Sequence, residues 1–222
     1  VMTDLLQFAL AMVGSFALAG YAMAHIGGLG ALPGALELEL GPARAAEVLT
    51  LIPDGSLAWM PLSAFSVYLL VRWWAHPLGD GGGYIAQRLS AARDPAAARQ
   101  AAGIFVVLHY VVRPWPWILV GLAGLVVFPP GDEARVFAQG AAVAADREAA
   151  YPLLAGLLLP PGLLGLLLAS LAAAFMSTVD THLNWGVSYL ANDLWKGRFR
   201  PDCSAREEVV VARVGSVVFA LL

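Results

Sequence analysis

The sequence predicts an all-α polytopic membrane protein. Of its 222 residues 59% are hydrophobic and only 13% charged, where soluble domains carry about 25% charged residues. The mean hydropathy is +0.72. Several uncharged runs approach or exceed the roughly 20 residues that a helix needs to cross the hydrocarbon core, so membrane lipid is the first expected partner. The net charge of -3, with no block of like charges, speaks against nucleic acid as another. The single Cys203 can form no internal disulfide and fits no zinc spacing.

In chain order, Leu5 to Ala24 is free of charge and long enough to span. Residues 27–54 mix Gly and Pro with Glu37, Glu39, Arg44, Glu47 and Asp54, which favours a loop, with a short surface helix over Arg44 to Ile52. Gly55 to Val71 is a second, shorter apolar run. It leads into Arg72-Trp-Trp-Ala-His-Pro-Leu-Gly-Asp-Gly-Gly-Gly83, where Pro77 and the glycines disfavour continued helix. Such an interruption marks either a discontinuous transporter helix or an ordinary loop beyond the membrane. Residues 89–101 read as an alanine-rich surface segment. Ile104 to Phe128 is the third span, interrupted by His109 and Arg113-Pro-Trp-Pro-Trp117. Arg113 marks either a headgroup belt with its tryptophans or a charge turned toward the bundle interior.

After a polar loop, Ala149 to Val179 is uncharged and too long for one simple crossing. Pro160-Pro161-Gly162 divides it into a short helix outside the core and a fourth span. A fifth begins near Val209. The expected organisation is one transmembrane domain over residues 1–222, with spans at about 4–26, 55–75, 103–128, 162–187 and 209–222 and an external helix at about 149–159. Val1 is not an initiator methionine and Val214 to Leu222 stops inside an apolar run. The expectation is an internal part of a longer chain, for which a missing signal peptide carries no message about targeting.

Lys and Arg in the loops orient the spans. Residues 72–102 hold Arg72, Arg88, Arg93 and Arg99, and residues 188–208 hold Lys196, Arg198, Arg200 and Arg206. Residues 27–54 hold only Arg44, and 129–160 only Arg135 and Arg147. The basic loops alternate with the others and face the cytoplasm. The fourth span then enters from outside and carries Ser177 past the midplane.

That span contains Ser170-Leu-Ala-Ala-Ala-Phe-Met-Ser-Thr-Val-Asp180. In a helix, Ala174, Ser177 and Thr178 share one face, because residues three and four apart are neighbours. The small, hydroxyl-bearing face has two readings. It helps to hold a small hard cation through oxygen ligands, or it packs closely on another helix with its hydroxyls bonded to its own carbonyls. No catalytic or phosphate-binding pattern is present. The glycines at 81–83 are not followed by Gly-Lys-Ser/Thr, and His25, His76, His109 and His182 lack the pairing of a helical metal site. No Gly-x-Ser-x-Gly elbow occurs, so the chain is not expected to be an enzyme.

Three motifs in order resemble the sodium:solute symporters, whose members include sugar, proline and pantothenate transporters. Thr3-Asp4-Leu-Leu-Gln7 resembles the start of the family's fifth core helix. Tyr84-Ile-Ala-Gln-Arg88 with Leu-Ser-Ala-Ala-Arg93 is similar to the segment after its broken sixth core helix. Pro161-x-x-x-Gly165-Leu through Ala172-Ala-Ala-Phe-Met-Ser177-Thr178, then Leu183-Asn184 and Asn192-Asp193, resembles the eighth core helix and its exit. The resemblance implies a LeuT-like fold of two inverted five-helix repeats, of which this chain supplies core helices five to eight and the start of nine.

It also implies a sodium ion as cofactor, held by the Ala174 carbonyl and the Ser177 and Thr178 hydroxyls together with carbonyls of a first core helix that these residues do not include. Asp4 is implied in a second cation site or ion pathway; the residue itself reads equally as a helix N-terminal acid favoured by the macrodipole. Asp180 either adds negative potential to an ion exit path or faces cytoplasmic water. Trp73 and Trp74 are an aromatic gate beside the solute or an interfacial belt. The extra residues 76–83 depart from the sugar-transporter spacing there. Tyr84 is a gate neighbour or a headgroup anchor, and His109 a solute-facing polar group or a structural histidine. The expected function is sodium-coupled symport of a small organic solute by a multi-pass protein of a bacterial inner (cell) membrane. The alternative is a non-transporting sensor or scaffold on a transporter fold, since fold alone does not fix function.

Overall fold

The computed structural model describes residues 2–53, 60–75, 89–132 and 140–221, and the side chains of all of these except residues 2–4 and 72–75. Among the described residues all regular structure is helical. Helix α1 is Met2–His25. It ends where Gly27 and Gly28 take φ of 94° and 97°, and the Gly28 amide returns to the Met23 carbonyl at 2.8 Å, a glycine-dependent way of closing a last turn.

The segment expected as a loop with a short helix over Arg44 to Ile52 is a tight pair of helices, α2 (Leu32–Leu40), which was not expected, and α3 (Pro42–Leu49), which overlaps the expected one. Its Gly, Pro and charged residues favour turns, but Leu32, Leu36 and Leu40 repeat every four residues and give α2 an apolar stripe. Each helix has a proline in its first turn, where no amide donor is needed. Gly41 joins them with φ 80° and ψ 158°, a backbone conformation that is essentially glycine's alone.

Helix α4 is Leu62–Ala75. Helix α5 (Pro95–Val106) begins well before the expected third span. Asp94 sets that start, its carboxylate accepting from the Ala97 amide at 2.7 Å, with Pro95 at the first helical position. The chain then widens into a π-helical stretch, Val107–Val112, before α6 (Pro114–Val127). Pro114 and Pro116 offer no amide hydrogens to the carbonyls of Tyr110 and Val112, and their rings crowd that turn. The Arg113 amide reaches back five residues to the Leu108 carbonyl at 2.9 Å, the bond that defines a π turn.

Helix α7 (Gly140–Ala145), a 3-10 turn at Arg147–Ala149 and α8 (Ala150–Leu158) come next. Helix α9 (Pro161–Ser188) continues as a second π-helical stretch, Tyr189–Phe199, and α10 is Ala205–Leu221. Among the described residues three helical segments are long and apolar enough to cross a membrane: Leu5–His25, Pro95–Val127 and Pro161–Phe199. The last, at 39 residues, is roughly twice as long as the ~30 Å hydrocarbon core is thick. Its basic C-terminal portion therefore extends into water.

The chain forms two compact units, residues 1–14 with 161–222, and residues 15–160. In the second, Ala22, Met23, Leu32, Leu36, Ala45 and Ala123 form a buried cluster, flanked by Leu119, Leu122 and Val126. The half-buried Tyr151 lies with its hydroxyl 3.4 Å from that of the buried Ser15, and Arg147 donates to the Phe128 carbonyl at 3.0 Å. In the first unit α1 approaches α9 so closely that a Cβ on Gly14 would lie 3.2 Å from the Leu167 Cα. The turn between the second π stretch and α10 is clasped by Lys196–Glu208 at 2.9 Å, Trp195 Nε1 donating to Glu207 at 3.3 Å, and Arg200–Glu207 at 3.7 Å. Phe175 and Met176 on α9 are 70% and 65% exposed. Large apolar side chains left open in this way belong against lipid or further helices. The protein is an integral, multi-pass membrane protein.

Candidate functional site

Residues 170–180 lie inside α9, and the helix brings Ala174, Ser177 and Thr178 together. The Thr178 hydroxyl donates to the Ala174 carbonyl at 3.1 Å. Ala174 and Thr178 are exposed and Ser177 is half-buried. One turn on, Thr181 donates to the Ser177 carbonyl at 2.9 Å. The back-bonding anticipated by the packing reading is thus present, and it holds two oxygens close together. Two oxygens 3.1 Å apart can both touch one cation at the ~2.3–2.6 Å that a hard ion keeps to oxygen. The Thr178 oxygen retains lone pairs, and its hydrogen is free to rotate away from the carbonyl, turning a donor-acceptor pair into two ligands with no movement of heavy atoms.

The three candidate oxygens, the Ala174 carbonyl and the Ser177 and Thr178 hydroxyls, are neutral. Among the described residues no group of three His, Cys, Asp or Glu side chains stands ready to hold a metal. Neutral oxygens suit a weakly charged hard cation better than a transition metal, which favours imidazole or thiolate. Asp180 is exposed beyond this face. Thr181 was not singled out in the sequence, although its spacing from Ser177 and Thr178 places it on the same stripe.

A second polar group lies within the candidate span Pro95–Val127. Arg113 Nη1 is 3.1 Å from His109 Nδ1. Phe105 stacks on the imidazole with centroids 4.9 Å apart, Tyr110 meets it edge-on at 4.7 Å, and the Arg113 guanidinium lies 5.8 Å from the Trp117 ring centre. The wider π turn keeps residues four apart more nearly in line than an α-helix of 3.6 residues per turn, so Phe105, His109, Arg113 and Trp117 form one ladder.

Asp4, Trp73 and Trp74 occupy positions in α1 and α4, but their side chains, and Tyr84 altogether, lie outside the described residues. In the Asp4 motif the informative neighbour is Gln7, whose Oε1 is buried without a hydrogen-bond partner among the described residues. Such an oxygen is costly to leave unpaired.

The family model described as "Sodium:solute symporter family" matches residues 1–222. The chain is similar to the sodium/myo-inositol cotransporter 2 of Mus musculus, 29% identical over all of this chain and 34% of the relative. It is also similar to a sodium/glucose cotransporter of Vibrio parahaemolyticus, 27% identical over all of this chain and 41% of the relative. A sodium/mannose cotransporter of Bos taurus is 27% identical over 98% of this chain and 38% of its own length. The chain thus spans a third to two fifths of the relatives it matches. A family match along the whole chain, on a helical membrane architecture, makes this chain a member of the sodium:solute symporter family.

Proposed function

We propose that the protein couples the inward movement of sodium to that of a small organic solute. The observation that carries this reading is the pair of oxygens, Thr178 Oγ1 and Ala174 O, held 3.1 Å apart on α9 with the Ser177 hydroxyl on the same face. In the proposed mechanism sodium enters as cargo from outside. The Thr178 and Ser177 hydroxyls rotate their hydrogens away and present lone pairs, while the Ala174 carbonyl supplies a third oxygen. The remaining ligands come from a helix beyond these residues. Sodium shifts the protein toward an outward-open state only to the extent that it binds that state more tightly than the inward one, and release inside occurs when the bundle rocks. Asp4 and Asp180 are assigned to the ion path, and Trp73, Trp74, Tyr84 and His109 to the solute gate and site.

The membrane we assign is a bacterial inner (cell) membrane, on the likeness to the Vibrio parahaemolyticus relative; fractionation that places the protein elsewhere overturns that assignment. The function is tested with Ser177→Ala in the full-length protein. Sodium-driven uptake should weaken and the sodium concentration for half-maximal rate should rise. Unchanged sodium dependence removes the site, and solute binding without accumulation in sealed vesicles favours a sensor instead.

A further inference from the structure

The outer part of α6 borders a cavity of about 380 Å³ to which no residue of the sodium face belongs. Val120, Gly121 and Leu125 form its floor, and the rings of Trp117 and Tyr151 wall it. A Cβ on Gly121 would meet no atom within 4 Å, so the helix surface there opens into the space. The Tyr151 ring is steadied by its hydroxyl, 3.4 Å from that of Ser15. Two opposite charges, the exposed Arg147 and Glu148, complete the lining. Their depth follows from one bond: Arg147 donates at 3.0 Å to the carbonyl of Phe128, the residue directly after the candidate span Pro95–Val127. The charges therefore stand at the level of lipid headgroups, and the apolar floor runs from them along the span. Although adjacent in sequence, the two do not pair with each other. The Glu148 carboxylate makes no hydrogen bond or ion pair among the described residues; its amide alone is engaged, donating to the Asp146 carboxylate at 2.9 Å.

We propose that this cavity binds the headgroup of phosphatidylethanolamine. An ionised carboxylate only accepts hydrogen bonds and a primary ammonium only donates them, three at once, so Glu148 and the ethanolamine nitrogen satisfy each other. The lipid phosphate falls to Arg147, whose five N–H groups let it hold the Phe128 carbonyl and a phosphate oxygen together. The order of groups agrees on both sides. The lipid runs from chain to phosphate to ammonium, and the cavity runs from the floor of α6 to Arg147 to Glu148. The first stretch of an acyl chain lies over Gly121, between Val120 and Leu125. Phosphatidylcholine brings the same charge to Glu148 but no N–H to donate. Phosphatidylglycerol brings no cation at all and would set its phosphate beside an uncompensated carboxylate. The site stands apart from the sodium reading, since none of its residues lies on α9.

Full-length protein in detergent is titrated, by native mass spectrometry, with phosphatidylethanolamine, phosphatidylcholine and phosphatidylglycerol of identical acyl chains. Phosphatidylethanolamine should occupy its first site about ten-fold more tightly than phosphatidylcholine, as a hydrogen bond to a charged group predicts, with phosphatidylglycerol weaker still. Glu148→Gln should bring phosphatidylethanolamine down to the level of phosphatidylcholine. Gly121→Leu, whose Cβ meets nothing, places its side chain in the cavity and should lower first-site affinity for both. The thermal unfolding temperature of each variant reports whether it is folded. Glu148→Gln leaves the amide bond to Asp146 in place, so its comparison decides even where Gly121→Leu fails to fold. Equal first-site affinity for phosphatidylethanolamine and phosphatidylcholine overturns the proposal, and so does a preference for phosphatidylglycerol. A preference for phosphatidylethanolamine that survives Glu148→Gln, an equal loss of all three lipids in that variant, or undiminished binding by folded Gly121→Leu overturns it as well.

Discussion

Replacing Thr178 with valine removes one oxygen from the proposed sodium face while keeping the shape of the side chain. The helix should tolerate it, because Thr and Val have similar helix propensities and the Ala174 carbonyl keeps its bond from the helix backbone when the 3.1 Å hydroxyl contact is lost. The ion loses a ligand. A polar contact to a charged group is worth about 1.5–3 kcal/mol, which corresponds to a roughly ten- to 150-fold rise in the sodium concentration for half-saturation. The assay is equilibrium binding of radiolabelled sodium to the full-length protein, which needs no knowledge of the solute. Ser216→Ala is the matched control: Ser216 donates to the Ala212 carbonyl at 3.0 Å, the same kind of bond on α10, and its loss should move sodium affinity by less than about two-fold, as expected for a single neutral contact remote from the ion. An unchanged sodium affinity in Thr178→Val, or an equal shift in the control, refutes the assignment.

Gly14→Ala should loosen the packing of α1 on α9, because its new Cβ would meet the Leu167 backbone at 3.2 Å. Overpacking of this kind costs about 1–3 kcal/mol, against a gain of about 0.5–1 kcal/mol for removing a helical glycine, and a lower thermal unfolding temperature checks the sign. Glu207→Ala releases both Trp195 and Arg200 and should speed tryptic cleavage at Lys196 and Arg198; the effect should shrink in high salt for the Arg200 part alone. The Asp94 carboxyl is held below its ordinary range, chiefly by the Ala97 amide and then by Arg93. A depressed pKa stabilises the fold above the unfolded carboxylate value, and the contribution is lost as pH falls through the folded one. Protection of the first turn of α5 against hydrogen exchange, compared with Asp94→Ala, should therefore differ at neutral pH and converge in acid. Burial pushes the Tyr151 hydroxyl up, opposed by its bond to Ser15. Its contribution is complete below the unfolded tyrosine value and falls away as pH rises through the folded one; Tyr151→Phe should flatten the stability profile above about pH 10.

Composition and local periodicity were enough to establish the membrane class and to put Ala174, Ser177 and Thr178 on one face, with ion binding and close packing both left open. A chain this apolar and this poor in charge must satisfy its backbone internally and enter lipid as helices. The three-and-four spacing puts Ala174, Ser177 and Thr178 on one face whatever surrounds them. The Asp94-Pro95 pair also carried a readable helix start that composition alone obscured. Other features depend on residues far apart or on how the backbone winds, and these emerged only in three dimensions. The apolar stripe of α2 has value because Leu32 and Leu36 find Ala22 and Ala123 to pack against. Ser15 is buried with the Tyr151 hydroxyl beside it, and the half-buried clasp at Glu207 and Glu208 closes across a turn. His109 and Arg113 are four apart in the sequence, but that their contact runs through Nδ1 at 3.1 Å is visible only in the structure. Periodicity reports which residues share a face. Which oxygen and which nitrogen come within bonding distance is set by packing and winding, because a hydrogen bond weakens steeply with small errors of angle that no residue spacing encodes.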